Sequence, residues 1–214
     1  MNAQQRSTGP AGLLIVFEGG DGAGKSTQAA LLAERLTAAG RTVVRTREPG
    51  GTPIGERLRA LILDHGHGHV GARTEALMFA ASRAAHVEQV ILPALGAGSV
   101  VVCDRYIDSS VAYQGVGRGL GTDDVLRINR WATEGLLPHL TVLLDVDPAA
   151  GRLRRTAGQG PEDRLESEPD DFHARIRGAF LDLAAADPDR YLVLDATAPV
   201  DDLAAAVAAR VEAL

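Results

Sequence analysis

One stretch of nine residues, Gly19 to Thr27, carries the clearest chemical signal in the chain. It reads Gly19-Gly20-Asp21-Gly22-Ala23-Gly24-Lys25-Ser26-Thr27 and matches the pattern G-x-x-x-x-G-K-[ST]. Glycines let the backbone approach a phosphate closely, and the N–H groups of such a loop present partial positive charge to it. The stretch therefore predicts a loop that binds the phosphates of a nucleotide.

Two side chains of this loop are suited to phosphoryl chemistry. Lys25 would place a compact charge near the β and γ phosphates, and the Ser26 hydroxyl is placed to hold Mg²⁺. Lysine and arginine together number 22, and Lys25 is the one lysine among them. A guanidinium fork does not reproduce the point charge of an ammonium group. Lys25 is therefore a candidate catalytic residue.

The elements around this loop fit its expected role. Residues 13–17 form a short apolar run with β-branched members, which is typical of a buried parallel strand. Residues 28–39 are helix formers, and Gly40 is placed to end that helix. The loop therefore joins a strand to a helix, as its chemistry requires.

The rest of the chain alternates short apolar segments with longer helical patterns. Further strands are expected at residues 42–46, 99–103, 140–144 and 191–194. Helices are expected from Thr52-Pro53 to about 63, at 74–91 with Pro93 marking the end, at 123–134, from Asp147-Pro148, at 169–186 and from 200. This alternation predicts an α/β fold, a P-loop NTPase-like three-layer sandwich with a five-stranded parallel sheet flanked by helices. We expect a flexible tail at residues 1–12 and a single domain at 13–214.

Composition narrows the function class. Hydrophobic residues make up 45% of the 214 positions and the net charge is −6, which argues against a broad nucleic-acid or membrane surface. Cys103 is the one cysteine, so an intrachain disulfide is impossible, and no apolar run is long enough to span a bilayer. These features fit a reducing compartment, so we expect a cytoplasmic protein without nucleic-acid or membrane partners.

Three further segments have patterns of interest. Asp104-Arg105-Tyr106 follows the third strand, at the sheet edge where ligands bind in open α/β proteins. Residues 152–166 are basic and rich in glycine, which favours a mobile lid. The alternating His and Gly residues at 65–69 are typical of a flexible surface connection rather than a metal tract.

Taken together, these motifs resemble those of the thymidylate kinase family. The resemblance covers residues 13–214 and is carried by Glu18 to Thr27, Arg47-Glu48-Pro49-Gly50-Gly51-Thr52, Phe79-Ala80-Ala81-Ser82-Arg83, Asp104-Arg105-Tyr106, Tyr113-Gln114-Gly115 and the arginine-rich lid. It implies transfer of the γ-phosphoryl group of ATP to dTMP, with Mg²⁺, by an enzyme that is typically a homodimer built through helices near residues 70–90 and 125–135.

The resemblance also implies roles for individual residues. ATP would be held by Gly19, Gly20, Asp21, Gly22, Ala23, Gly24, Lys25, Ser26 and Thr27, with Arg152 on the adenine face. Asp104 would hold the hydration shell of Mg²⁺ with Ser26. The dTMP site would be formed by Asp21, Glu48, Pro49, Phe79, Arg83, Arg105, Ser110, Tyr113 and Gln114.

Within that set, each side chain has an expected task. Arg83 and Arg105 are suited to bidentate binding of the acceptor phosphate, and Phe79 to stacking on thymine. The polar residues of the segment from Ser110 to Gln114 would read the base edge and exclude a 2′-hydroxyl. Core packing remains the alternative for Phe79, a structural ion pair for Arg105, and turn chemistry with surface hydrogen bonds for the polar residues of that segment.

The source of the transition-state guanidinium is a separate question. One subgroup of the family has an arginine inside the phosphate loop at the position of Gly22, so this chain resembles the subgroup that supplies it from the lid. The lid offers Arg152, Arg154, Arg155 and Arg164. We expect Arg154 or Arg155 to reach the transferred group and Arg164 to anchor the closed lid.

Three alternatives differ in class. Another nucleoside monophosphate or deoxynucleoside kinase would share this plan and differ in the acceptor motifs. A GTP-binding switch needs an Asn-Lys-x-Asp motif, which is impossible because the one lysine is Lys25. A kinase fold kept as an inactive binding module would be expected to lack some catalytic residue types, and all of them are present.

Overall fold

The computed structural model describes residues 12–156 and 162–214, and its centre is a parallel sheet. Five strands form the sheet in these ranges, in the order β2-β3-β1-β4-β5. The strands are β1 (Leu13–Glu18), β2 (Val43–Arg47), β3 (Val100–Asp104), β4 (Leu140–Asp145) and β5 (Tyr191–Asp195). The predicted fold class is confirmed.

Helices cover both faces of this sheet. They are α1 (Lys25–Ala38), α2 (Pro53–Leu63), α3 (Ala72–His86), α4 (Leu92–Gly96), α5 (Ile107–Ser110), α6 (Thr122–Ala132), α7 (Pro148–Thr156), α8 (Asp170–Ala186) and α9 (Val200–Glu212). A 3₁₀ turn covers His65–His67, and π-helical segments cover Val87–Ile91 and Val111–Gly117. The central strand β1 pairs with β3 and β4, and its residues 14–18 are fully buried.

Two helix ends predicted from the sequence are confirmed. The Thr52 hydroxyl accepts a hydrogen bond from the Gly55 N–H at 3.0 Å, and Pro53 occupies the first turn of α2. Gly40 follows α1 with φ of 80°, a left-handed conformation that closes a helix cheaply only with glycine.

The predicted end of the long central helix is wrong. Pro93 does not stop the helical path, which passes from α3 through the π-helical segment Val87–Ile91 into α4. Pro93 is the second residue of α4 and comes just after the π-helical segment, where the regular α-helical hydrogen-bond pattern is already interrupted. The path ends at Gly96 instead.

Two sequence expectations fall partly outside the described residues. These are most of the tail at 1–12 and the part of the lid at 157–161. Within the described ranges, none of the helices combines the length and apolarity that crossing a membrane would need.

The sheet topology brings the chemical motifs together. The Gly19–Thr27 loop follows β1, and Asp104 pairs in register with Phe17 at the end of β3. Because all strands are parallel, their carboxyl ends lie at one edge. The motifs after β1, β2 and β3 therefore meet at this edge.

Candidate active site

The loop after β1 wraps around the position of a phosphate. Gly24 has φ of 91° and precedes α1, which begins at Lys25. The Lys25 ammonium donates to the carbonyl oxygens of Gly19 at 3.1 Å and Gly20 at 2.7 Å. Burial lowers the pKa of Lys25, and the nearby Arg105 lowers it further. The charge is thus held inside the loop, at the start of a helix.

A close backbone contact joins this loop to the lid helix α7. A Cβ on Gly22, which has φ of 79°, would lie 2.1 Å from the Gly151 carbonyl oxygen. A Cβ on Gly151 would lie 2.4 Å from the Asp21 carbonyl oxygen. Both positions therefore need glycine, because the two backbones touch.

Two side chains whose oxygen atoms could bind a metal ion lie close together where α1 faces β3. The Ser26 hydroxyl donates to the Asp104 carboxylate at 2.5 Å, although they are 78 positions apart in sequence. A hydroxyl and a carboxylate are the ligand types that Mg²⁺ prefers. This pair therefore fits a magnesium ion.

On the other side of the phosphate loop, hydrogen bonds join Asp21 to Arg105 and Tyr113. The Asp21 carboxylate accepts from the Arg105 guanidinium at 2.5 Å and from the Tyr113 hydroxyl at 2.8 Å. Burial alone would raise the pKa of Asp21, but Arg105 and Lys25 hold it well below its usual range. Asp21 is therefore a carboxylate that orients both partners.

Glu18 holds the turn that presents Arg105. Arg105 has φ of 70°, which non-glycine residues rarely adopt. The Glu18 carboxylate accepts from the Tyr106 N–H at 2.8 Å, the Ser109 N–H at 3.1 Å and the Ser109 hydroxyl at 2.6 Å. That hydroxyl also accepts from Arg105 at 2.9 Å. Burial, with help from Asp108, raises the pKa of Glu18 to about 7.

An open cleft of about 1120 Å³ runs along the phosphate loop. Six cationic side chains and four carboxylates line it: Lys25, Arg47, Arg59, Arg105, Arg154 and Arg155, with Asp21, Glu48, Asp104 and Glu166. This excess of cations in an acidic protein suits the binding of more than one phosphate group.

A second cavity, of about 550 Å³, adjoins this cleft. Its wall combines an aromatic ring, apolar groups and a few polar atoms, as is typical of a site for an organic ligand. It is lined by Asp21, Glu48, Pro49, Arg59, Leu63, Phe79, Arg105, Ser109, Tyr113, Gln114, Asp163, Leu165 and Glu166. Asp21 and Arg105 line both spaces, so they stand where the two ligands would meet.

Behind this cavity lies a buried ion pair. The Arg83 guanidinium donates to Glu48 at 2.6 Å, to the Ser110 hydroxyl at 2.9 Å and to the Tyr106 carbonyl at 2.8 Å, and it also bonds the Asn129 side chain. Arg83 is only 1% exposed. The pair therefore supports the cavity wall from the protein interior.

Comparison with known proteins identifies the family of this chain. The family model for thymidylate kinase matches residues 17–207. This chain belongs to the thymidylate kinase family.

Individual relatives support the assignment over nearly the whole chain. The chain is 55% identical to the thymidylate kinase of Clavibacter michiganensis over 203 residues, which cover 95% of this chain and 96% of that protein. It is 54% identical to the thymidylate kinase of Deinococcus radiodurans over 200 residues, 94% of this chain and 96% of that one. The crystal structure of thymidylate kinase from Ehrlichia chaffeensis is similar with a TM-score of 0.77 and 33% identity, covering 95% and 99% of the chains.

The resemblance drawn from the sequence is thus confirmed for the family. Most residues expected at the nucleotide sites do line the two spaces. The expected set at the cleft includes Gly22, Gly24, Lys25, Ser26, Thr27 and Asp104. The cavity includes Glu48, Pro49, Phe79, Tyr113 and Gln114. Their roles toward ligands stay predictions.

Arg83 and Ser110 are placed differently from the expectation. Neither lines the cavity, and four hydrogen bonds occupy the Arg83 guanidinium. The placement does not support Arg83 as a ligand of the acceptor phosphate. The physical reason is that the Glu48 carboxylate, 4% exposed, needs a cationic partner inside the protein.

The lid arginines occupy four different environments. Arg154 donates to the Ala196 carbonyl at 2.8 Å, whereas Arg155 is paired with Glu162 at 2.5 Å and Glu166 at 3.7 Å. Arg164 is paired with Glu75 on α3 at 2.7 Å. Arg152 is paired with Glu162 and Asp170, away from the cleft and beside a small cavity that Gly20 also lines.

Sequence reasoning gave no role to two residues of the candidate site, Arg59 and Glu18. Arg59 lines both spaces, and its pKa is lowered by burial and by Arg47. Helical spacing could have found it, because Arg59 and Leu63 are four residues apart and share a face of α2. Glu18 stood in the recognised motif without a role. Its buried hydrogen bonds to the turn after β3 had no signal in the sequence.

Proposed function

We propose that the cleft and the adjoining cavity bind the two substrates of a thymidylate kinase. ATP is the phosphoryl donor and dTMP is the acceptor. The observation that carries this assignment is the Asp21–Arg105 pair, which lines the phosphate-loop cleft and the adjoining cavity at once. ATP phosphates occupy the cleft and dTMP occupies the cavity. Phosphoryl transfer needs positioning and charge neutralisation more than a general base, and this wall supplies both.

On the donor side, Lys25 neutralises charge that develops on the transferred group. In the structure it bonds two loop carbonyls, Gly19 and Gly20, so it is oriented before ATP arrives. Ser26 and Asp104 would hold Mg²⁺, which supplies further neutralisation of the phosphate oxygens when bound. Their oxygens lie 2.5 Å apart, which supports this assignment.

On the acceptor side, Phe79 stacks on the base and Arg105 binds the phosphate of dTMP. Phe79 is 9% exposed and lines the cavity, so part of its ring can reach a ligand. Tyr113 is fixed by Asp21 and excludes a ribose 2′-hydroxyl by occupying its space. Arg59 takes the second phosphate-binding role that Arg83 does not fill.

The lid supplies the transition-state guanidinium, and we assign it to Arg154. An arginine at position 22 has no room, because the Gly151 backbone touches Gly22. Arg155 already has two carboxylate partners, and Arg164 ties the lid to Glu75. Arg154 lines the cleft and bonds only a neutral carbonyl among the described contacts, so it can move without leaving a carboxylate unpaired.

The test is a panel of single alanine variants at Arg152, Arg154, Arg155 and Arg164. We expect Arg154→Ala to lower kcat by about 10³-fold or more, the range seen for guanidiniums of this kind. The Kd of ATP should change only a few-fold, because the contact forms in the transition state. Single-turnover rates and nucleotide titrations measure the two quantities separately.

The panel separates this assignment from its competitors. A large loss at Arg155 with none at Arg154 would exchange their roles, and kcat above half of wild type in all four would remove the lid from the chemistry. The same ADP-release assay with other monophosphates tests the acceptor. Faster turnover of AMP, CMP or UMP than of dTMP would refute the thymidylate assignment.

We further propose that two copies associate through α3 and α6. Leu77 on α3 is 56% exposed and Trp131 on α6 is 84% exposed, which is unusual for large apolar side chains. A groove between the helices is lined by Leu77, Leu120 and Ile128 among others.

Trp131 is the one tryptophan, so its fluorescence emission should shift to the blue as the protein concentration rises. Trp131→Glu should give a monomer by sedimentation, and an unchanged dimer would place the interface elsewhere.

A cytoplasmic location is consistent with this function. Cys103 is a free, buried thiol in the middle of the sheet, and burial raises its pKa. Such a thiol is kept unreactive by its surroundings. Fractionation of the producing cell would test the location.

A further inference from the structure

The Gln114 side chain has one satisfied end and one unsatisfied end. Its amide nitrogen donates to the Glu75 carboxylate at 2.9 Å. Its amide oxygen has no hydrogen-bond partner among the described residues, although the side chain is 0% exposed and borders the acceptor cavity. A buried oxygen left unpaired costs free energy, so its presence beside a ligand cavity points to a donor on the ligand.

Glu75 is surrounded by donors. One of its oxygens accepts from Gln114 and from the Arg118 Nε at 3.2 Å. The other accepts from the Arg118 Nη2 at 3.1 Å and from Arg164 at 2.7 Å. Burial acts to raise the pKa of Glu75, but the hydrogen bonds from Arg118 and Gln114 hold it below its usual value.

An ionised carboxylate only accepts hydrogen bonds, so it decides which end of a neighbouring amide faces it. With Glu75 ionised between two guanidiniums, only the NH₂ end of Gln114 can face it. The oxygen end must then face the cavity. We propose that Glu75 is a positioning residue for base selection, which orients the Gln114 amide so that its oxygen accepts a hydrogen bond from the base.

This inference deepens the proposed function, because it assumes that the cavity binds the base of dTMP. On the pairing edge of thymine, the one donor is the N3–H group. Cytosine presents an unprotonated N3 there, which is an acceptor and would meet the Gln114 oxygen unfavourably. Uracil keeps the N3–H group. Glu75 therefore selects thymine and uracil against cytosine, and it has no influence on the 5-methyl group.

The test compares Glu75→Gln with wild type by measuring kcat/KM for dTMP, dUMP and dCMP. A glutamine can donate as well as accept, so the Gln114 amide becomes free to turn. We expect the preference for dTMP over dCMP to fall at least tenfold, mainly through a higher KM for dTMP. The preference for dTMP over dUMP should stay within twofold. In a Gln114→Ala background, Glu75→Gln should change neither ratio further.

Glu168→Gln is the matched control. Glu168 pairs with the other side of the Arg118 guanidinium at 2.5 Å and has no hydrogen bond to Gln114 in the described ranges, so its loss perturbs the same arginine only. Its dTMP over dCMP ratio should equal that of wild type.

If Glu75→Gln does not fold, Glu75→Asp keeps the charge for both arginines and withdraws the carboxylate from Gln114. It should show the same loss of selectivity. A dTMP over dCMP ratio within twofold of wild type in a folded Glu75 variant would overturn the inference, as would an equal drop in Glu168→Gln. Failure of wild type to phosphorylate dTMP would instead refute the proposed function.

Discussion

The donor and acceptor halves of the cleft are built in different ways. The donor half is organised around one continuous stretch, Gly19 to Thr27, and the side chains that complete its walls come from the ends of β2 and β3, from α2 and from the lid. The acceptor cavity takes side chains from the ends of β1, β2 and β3, from α2 and α3, and from residues 163–166. A local site can be recognised from consecutive residues, whereas a dispersed site exists only after folding.

The two halves also differ in whether their cationic side chains are paired with carboxylates. Arg83, Arg105 and Arg118 on the acceptor side are already paired with Glu48, Asp21 and Glu75. Lys25 on the donor side donates hydrogen bonds to two carbonyl oxygens, those of Gly19 and Gly20. Buried ion pairs position their members, and a cation without a bonded carboxylate can stabilise charge on a substrate. Under the proposed assignment, the donor half therefore serves chemistry, and the acceptor half serves recognition.

Lys25 gives the sharpest test of this division. Lys25→Ala should lower kcat by roughly 10³-fold, because it removes charge from the transferred group, while the Kd of dTMP changes little. Rapid-quench single turnovers and dTMP titrations measure the two effects.

Lys25→Arg is the matched control, since it keeps the charge and changes its shape. It should also be strongly impaired, because the planar guanidinium does not fit a loop built around an ammonium group. Single-turnover rates of Lys25→Ala within tenfold of wild type would remove Lys25 from the mechanism.

The same contrast explains what could be predicted from the sequence. The phosphate loop, the strands and the capped start of α2 follow from local patterns, because each depends on residues close together in the chain. Residues 13–17 could be placed within a residue of the observed β1 for this reason.

What could not be predicted depends on distant partners. Arg83 carries the same charge as Arg105. Only the fold shows that Arg83 pairs with Glu48, which is 35 positions away in the sequence. No pattern in the helix that contains Glu75 marks it as a hydrogen-bond partner of Gln114, which is 39 positions later in the sequence. Pro93 usually ends a helix, and only the preceding π-helical segment makes room for it.

Glu18 connects the two halves, because it ends β1 and holds the turn of Arg105. Above about pH 7, where Glu18 is ionised, Glu18→Gln keeps the shape but weakens three hydrogen bonds to a charged acceptor. Each such bond is worth about 1.5–3 kcal/mol. We expect kcat/KM for dTMP to fall about 10- to 100-fold if one of them is lost. Glu34→Gln, at an exposed position of α1, is the control and should be neutral.

Glu18 also predicts a pH dependence of stability. Its pKa rises from 4.5 to about 7 on folding, so the folded state binds the proton more tightly than the unfolded state. Its contribution to stability is therefore complete below the lower value and is lost as pH rises through the upper one. Relative to wild type, Glu18→Gln should gain stability between about pH 5 and about pH 7.5 in urea titrations. A constant difference would show that Glu18 does not titrate in this range.

The smallest effect is expected at Thr52, which starts the helix that carries Arg59 into the acceptor cavity. Its hydroxyl accepts from the Gly55 N–H at 3.0 Å and is buried, so water cannot replace it. Thr52→Ala should cost about 1 kcal/mol and lower the Tm by roughly 2–4 °C, with Thr52→Ser restoring most of both. Thr37→Ala is the control, because that hydroxyl donates to Ala33 within exposed α1 and should change stability by less than about 0.5 kcal/mol. Helix α2 contributes Leu63 to the cavity alone and Arg59 to both spaces, so the KM for dTMP should rise slightly and by more than the KM for ATP. Equal changes in both would show that the two halves are less separate than their construction indicates.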